Sequence, residues 1–178
     1  MKKKTNFKWI LEIVLISLTI SVVFSFMSAE VLDGAGYIVA FILLLAFVVL
    51  GVVFDMVGVA VTSAGETPFH AMASHKERGA REALRLLRRA ERVSSICNDV
   101  VGDISGIISG ATAAAIAAKL SADLTVSSVV TSLLVTGVVS ALTIGGKAFG
   151  KAVAINNDTQ IVFMVGKLMA FLPHRKKK

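Results

Sequence analysis

The stretch YIVAFILLLAFVVLGVVFDMVGVAVT, Tyr37 to Thr62, is apolar from end to end apart from a single charge, Asp55. About 20 consecutive apolar residues cross the hydrocarbon core of a bilayer as an α-helix, so this run predicts a membrane span. An earlier run, ILEIVLISLTISVVFSFM from Ile10 to Met27, reads the same way behind the basic start MKKKTNFKW. A cleaved signal peptide is its competing reading, since it too has a basic start and an apolar centre, and Ser28 and Ala29 are small enough for a cleavage site. The run is long for a signal, which favours a span.

Composition extends the same conclusion to the whole chain. Hydrophobic residues make up 55%, charged residues only 17%, and the mean hydropathy is +0.78. Soluble domains carry about 25% charged residues and spread them over the surface, whereas here they are bunched. Two further apolar runs, about Val100 to Ala118 and Ser127 to Gly146, bring the expectation to an all-α integral membrane bundle of about four spans. The single cysteine, Cys97, excludes an internal disulfide and a cysteine zinc cluster. His70, His75 and His174 have no metal-type spacing. Cys97 has no activating histidine beside it and no phosphate loop or hydrolase motif occurs, so no enzyme and no organic cofactor are expected.

The net charge of +7 could suggest nucleic acid, but the cations flank apolar segments, as the positive-inside rule describes. The partner expected is membrane lipid, not nucleic acid. The segment SAGETPFHAMASHKERGAREALRLLRRAERVSS concentrates Arg81, Arg85, Arg88 and Arg89 among Leu84 and Leu87 at helical spacing. It reads as basic amphipathic helices on the membrane surface, about residues 66–97, or as a solvated connector. Pro68 sits where a helix start tolerates it. The last apolar segment, about 158–172, is short for a span and reads as an interfacial helix, with Lys167 on its polar side and HRKKK on anionic headgroups. The chain thus divides into residues 1–34, an extra span with its flanks, and residues 35–178, the main membrane domain. The amino-terminal lysines, the basic middle and the basic carboxyl end place both termini in the cytoplasm of a plasma-membrane protein. Glu30, Asp33 and Asp123, with Lys119, fall on the outer side.

Ionisable residues inside spans are rare and mark ion paths or paired charges. Asp99 and Asp103 lie four residues apart at the start of the third span, Asp55 lies in the second, and Lys147 and Lys151 lie four apart after the fourth. Gly102, Gly106 and Gly110 form a small-residue face suited to close helix packing. Beside a proton relay or some other role, two readings of the charges stand. The carboxylates neutralise the lysines in structural ion pairs, or, with backbone carbonyls near Gly102, they hold a hard divalent cation such as Mg²⁺, which takes oxygen ligands in near-octahedral array.

The order of motifs is similar to the transmembrane domain of the CNNM/CorC family of magnesium transport proteins. GAREALRLLRRAER, Gly79 to Arg92, resembles that family's GxxxARRALRLLExPER stretch. VGDISG places Gly102 and Asp103 at its GN pair, with Asp99 competing for that place. GKAFGKAVAINN, Gly146 to Asn157, resembles its GExxPKxxAxxN motif through Gly146, Lys151, Ala154 and Asn156. The resemblance, over roughly Leu50 to Leu172, implies a homodimer with three spans per subunit, an inward-facing acidic Mg²⁺ site, and a belt of juxtamembrane helices. The first span is then an addition. In that register the serine of the family's SGSETA motif falls on Asp55, the GN asparagine on Asp103 and the GE glutamate on Lys147, so the trio keeps a formal charge of minus one. An ammonium at Lys147 can act there as a tethered counter-ion. The family's nucleotide-binding CBS pair is not within these residues, so any regulation is expected from a separate cytoplasmic partner.

Overall fold

The computed structural model describes residues 7–32, 36–124 and 127–171, without the side chains of residue 27 and residues 29–32. Lys2 to Lys4, Asp33, the side chain of Glu30 and the terminal HRKKK therefore lie outside the described residues. Within them every element is helical: α1 (Phe7–Leu32), α2 (Tyr37–Ser63), α3 (Thr67–Ser74), α4 (Ala80–Leu87), α5 (Ala90–Ser95), a π-helical segment (Ile96–Gly102), α6 (Asp103–Leu124), α7 (Ser128–Asn156) and α8 (Asp158–Phe171). The protein is an all-α membrane bundle. Four stretches are long and apolar enough to cross a bilayer: Phe7–Phe26, Tyr37–Ser63, Ala90–Leu124 and Ser128–Asn156. At 1.5 Å per residue the 27 residues of α2 reach ~40 Å, beyond the ~30 Å of hydrocarbon. The 14 residues of α8 reach only ~21 Å.

Two boundaries differ from the sequence expectation. The third span begins at Ala90 rather than near Val100, because no proline or glycine interrupts AERVSSICNDVV and helical structure runs through α5 and the π-helical segment into α6. The fourth continues to Asn156 rather than stopping at Gly146. Lys147 and Lys151 consequently lie inside α7, one helical turn apart, and not in a loop beyond it.

Contacts group the chain into two compact units, one of residues 1–52 and 99–146, the other of residues 53–98 and 147–178. In the first, α6 offers Val100, Ile104 and Ile108, a stripe at helical spacing, to Ile13, Ile20 and Phe24 of α1 and to Phe47 of α2. The rings of Phe24 and Phe47 lie 5.6 Å apart and tilted, and the hydroxyls of Ser28 and Thr112 meet at 3.3 Å. Ala40 and Leu44 of α2 pack on Ala113 and Ile116 of α6 and Val139 of α7. At the start of α2 the Tyr37 hydroxyl donates to Asp123 Oδ2 at 2.5 Å, while Lys119 Nζ stands 5.2 Å from the centre of the Tyr37 ring. The outward faces stay apolar: Val14, Ile42, Leu133 and Leu142 are exposed, as suits helices facing lipid.

The second unit has its own core, built from Ala60 and Val61 of α2, Phe69 of α3, Ala83, Leu84 and Leu87 of α4, Ala154 of α7 and Val162 of α8. Pro68 occupies the first turn of α3, where a missing N–H costs nothing. Gly79 caps α4 in the left-handed region at φ 94°, which a side chain resists. A Cβ on Gly79 would fall 2.6 Å from Lys167 N, and one on Gly166 would fall 2.5 Å from Gly79 O. Backbone therefore rides on backbone where α4 meets α8. The amphipathic reading of the basic segment holds for α4, whose Ala80, Ala83, Leu84, Leu86 and Leu87 are buried and whose Arg81 and Arg85 are exposed, as are Arg88 and Arg89 at the turn that follows it.

Candidate functional site

The charged cluster of the second unit is anchored by Asp55 on α2. Its neighbours Ala60 and Val61 belong to the core, which draws this turn of α2 inward and leaves the Asp55 side chain 4% exposed. Opposite stands α7, whose uninterrupted helix puts Lys147 and Lys151 on one face. Lys147 Nζ lies 3.9 Å from Asp55 Oδ1, and Lys151 Nζ lies 3.6 Å from Asp55 Oδ2. Each carboxylate oxygen thus faces its own ammonium. Lys147 is the more enclosed, with 20% of its side chain exposed against 52% for Lys151. One carboxylate thus answers two ammonium groups of the same helix. Two like charges held near one buried anion are tolerable because each pair gains Coulomb energy where the effective dielectric is below that of water.

The remaining sequence candidates lie on other elements. Asp99 lies in the π-helical segment and Asp103 opens α6, and both are exposed. They stand one residue before Val100 and Ile104, the residues that take the buried face of the helix. Gly102 is buried. Gly106 and Gly110 leave open space, with nothing within 4 Å of where a Cβ would sit. Ser105 and Ser109 are buried, but their hydroxyls donate within their own helix, to Val101 O at 2.7 Å and Gly106 O at 2.9 Å. His70 and His75 are exposed, and His70 Nε2 lies 3.2 Å from Glu66 Oε2. Among the described residues no three His, Cys, Asp or Glu side chains gather as a metal-holding group.

Sequence reasoning passed over Asn98. It lies in the π-helical segment, where its Nδ2 donates to Ser94 Oγ at 3.2 Å. Its Oδ1 is buried with no hydrogen-bond partner, held so close to Gly58 that a Cβ there would overlap it. Gly58 follows Asp55 by three residues on α2, hence on the same side of that helix. An orphaned buried acceptor is uncommon, and a π-helical turn inside an α-helix often marks a functional position. The available signal was the amide itself: Asn98 stands between Cys97 and Asp99 in an apolar helix, and the charged neighbours drew attention from it.

Mg²⁺ takes several oxygen ligands. Asp55 and Asn98 are oxygen donors of the right kind, but both oxygens of Asp55 already face ammonium groups. As arranged, this carboxylate is supplied with cations by the chain itself. Among curated proteins none matches the chain, and none of the solved structures does. The family model for the Cyclin M transmembrane N-terminal domain matches residues 42–174, a span that contains Asp55, Asn98, Lys147, Lys151 and the α4–α8 contact. With most of its length covered by that one domain, the chain belongs to the CNNM family of membrane proteins.

Proposed function

We propose that this CNNM-family protein works as a non-transporting membrane scaffold or regulatory protein, in which an internal ammonium takes the part that a divalent cation would play. The observation that carries this reading is the double pairing of Asp55 with Lys147 and Lys151. Ammonium groups 3.9 and 3.6 Å from the two carboxylate oxygens compete with Mg²⁺ for that carboxylate, and the competition is strong where the effective dielectric is low. The basic helices α3 to α5 then lie on the cytoplasmic membrane surface and present Arg81, Arg85, Arg88 and Arg89 to lipid or to a cytoplasmic partner, and the protein is a homodimer in the plasma membrane.

The family match supports a second reading, transport of Mg²⁺ past Asp55 with Lys147 drawn aside. Titration of the purified protein with Mg²⁺ separates the two. A site filled to a hundred times its Kd adds about 2.7 kcal/mol of stability, which a thermal unfolding scan reads as several degrees. On the scaffold reading the wild type shows no Mg²⁺-dependent shift up to roughly 20 mM, which fills a sub-millimolar site. Lys147→Glu gains such a shift. A shift in the wild type, together with Mg²⁺ flux in proteoliposomes, would establish the transport reading instead.

A further inference from the structure

The second unit holds a long apolar groove of about 780 Å³, walled by Val53 and Val57 of α2, Leu86 of α4, Cys97 of the π-helical segment and Met164 and Leu168 of α8. Its lining is almost wholly hydrocarbon, and among the described residues the only charged one in it is Lys167, whose Nζ stands 4.4 Å over the Phe163 ring. Val53 to Val57 lie six to ten residues before the end of α2 at Ser63, so the groove reaches roughly 9–15 Å inside that end of the span. The turn Leu87 to Arg92 forms a second hollow, polar and lined by Arg88, Arg89 and Arg92 with Glu91 among them. Leu86 and Val93, which wall the apolar groove, bracket this arginine-rich turn in the sequence. A hydrocarbon groove that contains Lys167, with arginines on the turn joining two of its walls, supplies the two halves of a site for an amphiphile with an anionic head.

From this complementarity we infer that the groove binds one anionic phospholipid, its acyl chain lying against α2 and α8 and its phosphate held by Lys167 and the arginines of the α4–α5 turn. Arginine forks bind phosphate oxygens in pairs, and basic residues beside a span attract anionic headgroups. Glu91 keeps the hollow from being uniformly cationic and sets the headgroup toward Arg88 and Arg89. This inference concerns lipid and is independent of whether Asp55 ever meets Mg²⁺.

The test is thermal unfolding of the full chain in detergent, titrated with dioleoyl phosphatidylglycerol or dioleoyl phosphatidylcholine, with molar mass followed by light scattering. Phosphatidylglycerol is expected to raise the midpoint by roughly 3 °C or more over phosphatidylcholine at equal mole fraction. Lys167→Gln and Leu168→Glu, both on the exposed face of α8, should each abolish that difference. Lys8→Gln, on α1, should leave it intact. Equal response to the two lipids overturns the inference, and so does a preference that survives Lys167→Gln. A shift in dimer fraction in place of lipid preference on Leu168→Glu overturns it too, since the groove would then seat a second copy of the chain.

Discussion

At Gly166 a single hydrogen atom decides whether two helices can meet. A Cβ there would come within 2.5 Å of Gly79 O and 3.0 Å of Ala83 N, both main-chain atoms that cannot swing aside. Gly166→Ala is therefore expected to lower stability by about 1–3 kcal/mol, the usual cost of overpacking, read as a fall in the thermal midpoint. Gly106→Ala meets open space and should be neutral or stabilising by about 0.5–1 kcal/mol, because alanine loses less entropy in a helix. A destabilised Gly106→Ala would show that this face packs against a second chain, so the pair also reports on dimerisation. Residue by residue, the charges were legible unevenly. The Asp55 pairing with Lys147 and Lys151 could be anticipated, since a lone carboxylate within a span needs a partner. Asp99 and Asp103 share their spacing with Val100 and Ile104 one residue on, and the apolar pair takes the buried stripe of the helix. Burial of hydrocarbon decided between the two stripes. Gly166 gave no signal at all, because its role depends on a helix remote in sequence.

At the scale of elements, α4 shows how an amphipathic pattern becomes structure. Leu84 and Leu87 point into the core that Phe69 fills, and Arg81 and Arg85 point away from it. Leu87→Ala should cost about 2–5 kcal/mol and Phe69→Ala about 3–5 kcal/mol, the range for large-to-small changes in a packed core. Arg81→Ala should stay within about 0.5 kcal/mol. Equal losses for Leu87→Ala and Arg81→Ala in unfolding scans would mean that α4 is a solvated connector after all. The pattern Ala80, Leu84, Leu87 among arginines carried this element in the sequence. What it did not carry was the π-helical segment Ile96–Gly102. That segment interrupts the α-helical period between α5 and α6, and a search at a fixed period of 3.6 residues cannot see a change of period. The junction of α7 was missed for a related reason. Lys147 looked like the end of a span because charges usually end spans, whereas here its charge is answered by Asp55 and the helix has no cause to stop.

Across the whole molecule, the number of spans is a bulk property and was readable from hydropathy alone, while the two-unit division was not, because it depends on which turns of α2 and α7 find partners. Orientation follows from charge. Four crossings would put the α3–α4 segment and the α7–α8 junction on the same side, and we propose from Lys76, Arg78, Arg81, Arg85, Arg88, Arg89 and Arg92 that this side is cytoplasmic. On that proposal Ser127 lies on the other side, where the contacts of Asp123 and Lys119 with Tyr37 tie the start of α2 to the end of α6. Single cysteines in a Cys97→Ala background test this directly, since Cys97 is the only native thiol. In intact cells a membrane-impermeant maleimide should label Ser127→Cys and leave His75→Cys and Asn157→Cys unlabelled until the membrane is opened. All three positions are exposed, so slow reaction from burial does not enter. Labelling of His75→Cys and Asn157→Cys together from outside would invert the orientation. Labelling of only one of those two would leave an odd number of crossings between them, and would remove either the third or the fourth span from the membrane.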